Sequence, residues 1–208
     1  MSKRVINRGA AMASLILLAA CQPAGQTAQS DETASAPREA SEAPADAAAE
    51  RQFRDGLSTY TQVDIDACEE VDRQVEGESV TWRCPGSGGI ELWAHIGDGR
   101  MDLDAGNREG GWAGIGPFNT LGPTVEWRGP AGVPYAIIYR LRSATSEAPG
   151  LSWLVVETIG THTQPGCVVA RIDGGVPDAN ARAREAADTW ARGFVCDRDE
   201  PSELTALA

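Results

Sequence analysis

The chain has 208 residues, and its 30 acidic and 18 basic side chains give a formal net charge of −12. A protein this acidic repels nucleic acids and anionic lipid headgroups. The composition therefore excludes a general nucleic-acid-binding function.

The first predicted element is a short apolar segment behind a basic start. Three basic residues lie among the first eight, and the apolar run that follows ends at Ala20. This run is shorter than the roughly 20 apolar residues that cross a bilayer. Its basic, apolar and small-residue regions predict a signal peptide over residues 1–20.

The end of this segment reads Leu18-Ala19-Ala20-Cys21 and resembles the lipobox of bacterial lipoprotein precursors. The resemblance implies that the Cys21 sulfur receives a diacylglyceryl group, that the leader is cleaved before it, and that the new amino group is acylated. Several acyl chains such as palmitate make a stable membrane anchor. Because Gln22 rather than Asp follows the cysteine, the resemblance also implies the periplasmic leaflet of the outer membrane.

Residues 21–50 are predicted to be a disordered tether behind the lipidated cysteine. The segment is rich in Ala, Ser, Thr, Pro and acids and contains no Val, Leu, Ile, Met or aromatic residue. Such a composition buries too little apolar surface to offset the entropy of ordering. Residues 51–208, which hold all six Trp, are predicted to form one globular domain.

Most of this domain is predicted to be β-structure. Short apolar runs alternate with turns rich in Gly, Pro or Ser, and the connections are too short to join parallel strands. A Gly-rich stretch, residues 106–123, has no periodicity and is predicted to be a long surface loop. The predicted strands are Val80–Cys84, Ile90–Ile96, Met101–Leu103, Thr124–Arg128, Tyr135–Leu141, Leu151–Ile159 and Cys167–Ile172.

One helix is predicted near the C-terminus, starting after Pro177. Apolar side chains recur there with helical spacing and are expected to pack on the sheet. Arg184, Asp188 and Arg192 are expected on the opposite, solvent side. The prediction is an α+β fold, an antiparallel β-meander covered on one face by a C-terminal helix. The apolar positions of the helix are Ala179, Ala183, Ala187, Trp190 and Phe194.

Four cysteines lie in the predicted domain. An even number in an exported domain predicts disulfides, and four cysteines allow three pairings. We favour Cys68–Cys84 and Cys167–Cys196, because the members of each pair flank one local unit of the chain. Neither metal-binding C-x₂₋₄-C spacing nor a redox C-x-x-C motif is present. No metal and no cofactor are therefore predicted.

The same region resembles a group of small exported bacterial proteins that have no assigned activity. The resemblance covers most of residues 60–197, supports the domain limits and the disulfides, and implies no catalytic residues. The segments that carry it are Cys68, Trp82-Arg83-Cys84-Pro85-Gly86, Tyr139-Arg140, Gly166-Cys167-Val168-Val169, Asn180-Ala181-x-Ala183-Arg184 and Phe194-x-Cys196.

A candidate ligand site lies on the strand Ile90–Ile96. Strict alternation there places Glu91, Trp93 and His95 on one face of the strand. An indole for stacking beside a carboxylate and an imidazole for hydrogen bonding suits a polysaccharide or a peptide. The alternative, which we favour, is that Trp93 lies under the C-terminal helix and His95 caps a sheet edge.

Two further patterns are weaker candidates for a functional site. Oxygen-bearing side chains cluster near a turn, as calcium requires, but their spacing differs from an EF-hand loop and two arginines interrupt them. Ser87 is flanked by glycines but lacks the strand–turn–helix context of a nucleophile elbow. A cross-strand pair of Arg140 with Glu126 is also expected. The oxygen-bearing side chains are Asp98, Asp102, Asp104, Asn107 and Glu109.

The sequence predicts a location more sharply than an activity. We expect a non-enzymatic binding or structural module of the cell envelope, with the membrane, an envelope protein or peptidoglycan as its partner. One alternative, by analogy with other small periplasmic lipoproteins, is an inhibitor of a basic cell-wall-degrading enzyme such as lysozyme. A weaker alternative is a hydrolase that uses His95 or His162.

Overall fold

The computed structural model describes residues 57–76 and 78–205. The predicted signal peptide, Cys21 and the tether lie outside these residues. The described chain is mainly β-structure, with two sheets, one α-helix and two disulfide bonds. No helix within these two ranges is long and apolar enough to cross a membrane.

Eleven strands are formed by the described residues, and the α-helix α1 (Ala179–Trp190) follows the tenth. Single 3₁₀ turns lie at Ile65–Ala67 and Ala191–Gly193. The strands are β1 (Ser58–Gln62), β2 (Glu69–Gln74), β3 (Ser79–Ser87), β4 (Ile90–Gly97), β5 (Arg100–Ala105), β6 (Asn119–Leu121), β7 (Thr124–Arg128), β8 (Ala136–Ser143), β9 (Ser152–Thr158), β10 (Val168–Asp173) and β11 (Ser202–Leu204).

The strands form two sheets, whereas a single meander was predicted. The smaller sheet has the order β2-β3-β4-β5, and the larger has the order β1-β7-β8-β9-β10-β11 with β6 also paired to β8. All neighbours are antiparallel except β10 and β11, which are parallel. Alternation of side chains identifies a strand but does not specify which sheet it joins, and this explains the difference.

The larger sheet lies between the smaller sheet and the helix, so the domain has three layers. Ile137 and Val155 on one face of the larger sheet pack with Leu92 of the smaller sheet. Ile138 and Val156 on the other face pack with alanines of α1. The central strands β7 to β10 of the larger sheet are buried on both faces, and this explains their apolar runs.

The predicted helix is present, but the prediction of which side chains face the sheet was wrong in two respects. Its buried residues are all alanines, and Trp190 is 45% exposed instead of packing on the sheet. Asp188 and Arg184 face the sheet instead of the solvent, where they contact Arg128 and Glu126. Small side chains let the helix approach closely, and the buried charge of Arg128 draws Asp188 inward.

The predicted long surface loop is only partly a surface loop. Residues 119–121 form β6, and Ala113 and Ile115 are buried in the core between the sheets. The remaining segment, residues 106–118, covers polar side chains of β5. The loop therefore belongs to the packed structure and is not a solvated insertion.

Both predicted disulfide pairings are confirmed. Cys68–Cys84 joins the start of β2 to β3, and Cys167–Cys196 joins the start of β10 to the segment after α1. Each bond closes a short local loop, as the positions of the cysteines in the sequence predicted.

Candidate functional site

The site with the clearest chemistry is a cleft between α1 and the larger sheet, which we call the arginine cleft. It has a volume of about 350 Å³. Strand β8 supplies two arginines by alternation, and the helix supplies a third. The polar side chains that line it include Tyr60, Glu126, Arg140, Arg142, Asn180 and Arg184.

The guanidinium group of Arg140 is held in the cleft by neutral groups. Its Nη1 donates to Ser152 Oγ at 2.9 Å, and its Nη2 donates to Asn180 Oδ1 at 3.2 Å. Burial lowers the pKa of Arg140, and the positive charge of Arg142 lowers it further. Arg140 nonetheless stays protonated at neutral pH, because a guanidinium group does not lose its proton in proteins. Its charge is therefore not neutralised by these two partners.

The opposite wall of the cleft is an ion pair between Arg184 and Glu126. Arg184 Nε donates to Glu126 Oε1 at 2.7 Å, and its Nη2 lies 3.1 Å from the hydroxyl oxygen of Tyr60. The hydrogen bond to Glu126 raises the pKa of Arg184. The expected cross-strand pair of Arg140 with Glu126 is therefore replaced: Glu126 contacts the helix, and Arg140 contacts Ser152 and Asn180.

Glycines keep the cleft open at two positions. A Cβ atom at Gly122 would lie 2.7 Å from Nη1 of Arg142, and one at Gly174 would lie 2.5 Å from Nη1 of Arg140. A larger residue at either position would displace an arginine. The cleft thus presents three guanidinium groups against one carboxylate, in a chain whose net charge is −12. Such a site attracts an anion, and paired guanidinium hydrogen bonds suit a carboxylate or a phosphate.

Sequence reasoning did not identify this cleft. The available signal was the pair Arg140 and Arg142, which alternation places on one face of a strand in an acidic protein. Only the packing of α1 shows that Asn180 and Arg184 complete the site.

The residues singled out on β4 differ in their surroundings. Glu91 is exposed and lies 3.6 Å from Arg83. Trp93 is half-buried, and its Nε1 is buried without a hydrogen-bond partner among the described residues. His95 is half-buried between Thr81, whose hydroxyl lies 3.1 Å from Nδ1, and Asp104, whose Oδ2 lies 2.9 Å from Nε2. The helix packs on the other sheet, so Trp93 does not lie under it.

Beside His95 lie three buried carboxyl groups, Asp102, Asp104 and Glu157, which we call the buried acid cluster. Tyr139 OH donates to Asp102 Oδ1 at 2.6 Å and lies 3.3 Å from Glu157 Oε2. The backbone N–H of Ala113 donates to Asp102 Oδ2 at 3.2 Å. The cluster therefore connects both sheets to the loop 106–118.

Burial is the largest cause of the raised pKa of two of these acids, Asp102 and Glu157. It raises the pKa of Asp102 to about 6, with a smaller contribution from the charge of Asp104. It also raises the pKa of Glu157 well above the usual range, assisted by the charges of Asp104 and Asp102. The pKa of Tyr139 is also raised, by burial and then by the charge of Asp102.

The oxygen-bearing residues weighed as a calcium site are divided between the surface and the interior. Asp98 is exposed at the β4–β5 turn, while Asp102 and Asp104 are buried. In the loop, Asn107 is half-buried and Glu109 is exposed. Within the described part of the chain, no group of three or more acidic, His or Cys side chains is arranged to hold a metal ion.

The remaining candidates for catalysis lie on other elements. Ser87 is the last residue of β3 and pairs with Ile90. His162 is exposed in a tight turn between Thr161 and Gln164.

Comparison with protein-family models, with curated proteins and with solved structures found no match.

Proposed function

We propose that this protein is a lipoprotein of the bacterial outer membrane whose periplasmic domain binds an anionic component of the envelope in the arginine cleft. The leader-like start and the lipobox-like sequence before Cys21 support the lipid anchor. The cleft supports a binding function. The observation that carries it is the guanidinium group of Arg140, held by neutral partners beside the like charge of Arg142.

The ligand that suits this site carries a carboxylate. Two arginine side chains can each donate paired hydrogen bonds to a carboxylate, and Tyr60 and Asn180 add further hydrogen-bonding groups. Peptidoglycan stem peptides carry such carboxylates and lie within reach of a domain tethered to the periplasmic leaflet. We propose them as the ligand.

The test is a calorimetric titration of the full chain in detergent with stem peptides freed of their sugars. Arg140→Gln is expected to weaken binding at least about tenfold, which corresponds to loss of one good charged hydrogen-bonding group. Arg73→Gln, which changes an exposed arginine on β2, is the matched control and should bind like the wild type. Absence of binding by the wild type, or equal binding by Arg140→Gln, would refute the proposal.

A photoreactive residue in place of Arg142 identifies the partner in intact envelopes, because this side chain is exposed on the cleft. Crosslinked peptidoglycan fragments are the expected product. Recovery of an envelope protein instead would retain the binding function and replace the ligand.

Inhibition of a basic cell-wall-degrading enzyme is the second candidate. Strand β2 is fully exposed at the edge of the smaller sheet. Residues 64–78, which include this strand, carry seven exposed acidic side chains and one exposed arginine, Arg73. This excess of negative charge favours a basic partner. A salt-sensitive complex with lysozyme would promote this candidate, and no binding at low salt would remove it. The acids are Asp64, Asp66, Glu69, Glu70, Asp72, Glu76 and Glu78.

A hydrolase is the weakest candidate, and it rests on the contact between His95 and Asp104. The test is the double change His95→Ala with His162→Ala. Any hydrolytic turnover of the wild type that survives this change excludes imidazole chemistry.

A further inference from the structure

A second concave site lies on the smaller sheet, between the β4–β5 turn and the loop 106–118. Its volume is about 410 Å³, within the roughly 300–1,000 Å³ of small-molecule sites. We call it the aromatic pocket. Its lining combines one large aromatic ring with apolar and charged side chains, and the side chains that line it are Asp98, Arg100, Met101, Trp112, Ile115 and Asn119.

Trp112 provides a fixed aromatic surface in this pocket. The residue lies in the loop 106–118 and is 49% exposed. Its ring rests on Gly97, where a Cβ atom would lie 3.3 Å from Cη2 of the indole. The next residue, Ala113, is buried; its N–H donates to Asp102 and its carbonyl accepts from Arg171. The loop is therefore anchored directly beside the exposed ring.

Charged hydrogen-bonding groups flank the ring. Arg100 Nε donates to the carbonyl oxygen of Gly116 at 3.0 Å, and Nη1 donates to Asp98. The guanidinium group also lies over the Phe118 ring, 5.1 Å from its centroid. These contacts orient Arg100 while Asp98 remains largely exposed. The pocket thus places a planar donor and a planar acceptor beside an apolar ring.

We propose that the aromatic pocket binds a neutral pyranose sugar of a glycan chain. The C–H face of a pyranose is apolar and slightly positive, so it packs against the negative face of an indole. Its hydroxyl groups both donate and accept hydrogen bonds, and they match a carboxylate beside a guanidinium group. A purely apolar partner would remove water from the ion pair of Asp98 and Arg100 without supplying hydrogen bonds in its place.

This inference is independent of the arginine cleft, because its ligand carries no charge. The probe is a β-1,4-linked tetramer of N-acetylglucosamine, whose equatorial substituents leave the ring faces open for stacking. It is titrated into the full chain in detergent by calorimetry. We expect wild-type binding, and we expect Trp112→Ala to weaken it at least about tenfold through loss of the stacking surface.

Matched variants make the result specific. Trp190→Ala removes a tryptophan of similar exposure on α1 and should bind like the wild type. Arg140→Gln should also bind like the wild type, which separates this site from the arginine cleft. Trp112→Phe keeps an aromatic face and should lose less affinity than Trp112→Ala, and an unchanged denaturation midpoint shows that each variant is folded.

Three results would overturn the proposal. The first is failure of the wild type to bind the tetramer at about 10 mM, a concentration well above a millimolar Kd. The second is binding of the tetramer by Trp112→Ala with the affinity of the wild type. The third is a concentration-dependent dimer, detected by sedimentation, that Trp112→Ala abolishes. This result would make the pocket a contact between two copies of the chain.

Discussion

The guanidinium group of Arg128 is fully buried and makes two hydrogen bonds to the Asp188 carboxylate. Nε donates to Oδ1 at 3.1 Å, and Nη2 donates to Oδ2 at 2.6 Å. Arg128 lies in β7 and Asp188 in α1, so the pair fastens the helix to the larger sheet. Arg184 lies one turn earlier on the same helix, which is why this pair also positions a wall of the arginine cleft.

We expect Asp188→Asn to destabilise the protein by about 3 kcal/mol, because it leaves the buried charge of Arg128 without its main partner. The midpoint of urea denaturation measures this change. Glu70→Gln, in an exposed pair with Arg73, is the control and should leave the midpoint unchanged. An equal effect of both variants would show that Asp188 does not stabilise the helix through Arg128.

The buried acid cluster predicts a stability that falls as the pH rises. The pKa of Asp102 is about 6 in the folded protein and near 4 when unfolded, so the folded state holds the extra proton between these values. This contribution is complete below about pH 4 and is lost as the pH rises through 6. Its size is on the order of 3 kcal/mol, from about 1.4 kcal/mol for each unit of pKa.

The measurement is urea denaturation of the wild type and Asp102→Asn from pH 4 to 7.5. Asp102→Asn should flatten the decline across this range, since asparagine does not titrate. Asp197→Asn, which changes an exposed acid, should keep the wild-type slope. Identical slopes for all three proteins would contradict the raised pKa of Asp102.

The two disulfide bonds are expected to stabilise different parts of the domain. Their members are 16 and 29 residues apart, and loops of this size contribute about 3 to 4 kcal/mol each in the chain-entropy model. Replacing Cys167 and Cys196 with Ser should increase hydrogen exchange in residues 194–205 and leave β3 protected. Replacing Cys68 and Cys84 should do the reverse. Uniform loss of protection in both variants would argue against separate local roles.

Lipidation at Cys21 is expected to place the protein in the membrane fraction. Mass spectrometry of the native product should show a chain that begins at Cys21 and carries fatty acyl groups. Cys21→Ser should yield unprocessed or soluble protein. Normal processing with continued membrane anchoring in this variant would exclude the lipid anchor.

The sequence alone was sufficient where the signal is local. Alternation and turn residues located β3 to β5 and β7 to β10, and the positions of the cysteines in the chain predicted both disulfides. It was insufficient for β2, because the sequence of this strand is rich in acids, lacks apolar alternation and therefore resembles that of a loop. It also did not indicate β11, whose three residues pair in parallel with β10 only because the chain returns there after the helix.

The charge of the sequence indicated an acidic domain but did not locate its sites. Trp190 was predicted to face inward from its spacing alone, yet the helix turns its alanines inward because the buried Arg128 attracts Asp188. In the same way, Asp102 and Asp104 resembled a solvated turn until the loop 106–118 was seen to cover them. Periodicity along the chain determines which residues share a face. Which face becomes buried, and which charges meet, depends on contacts between distant segments, and only the tertiary structure decided those.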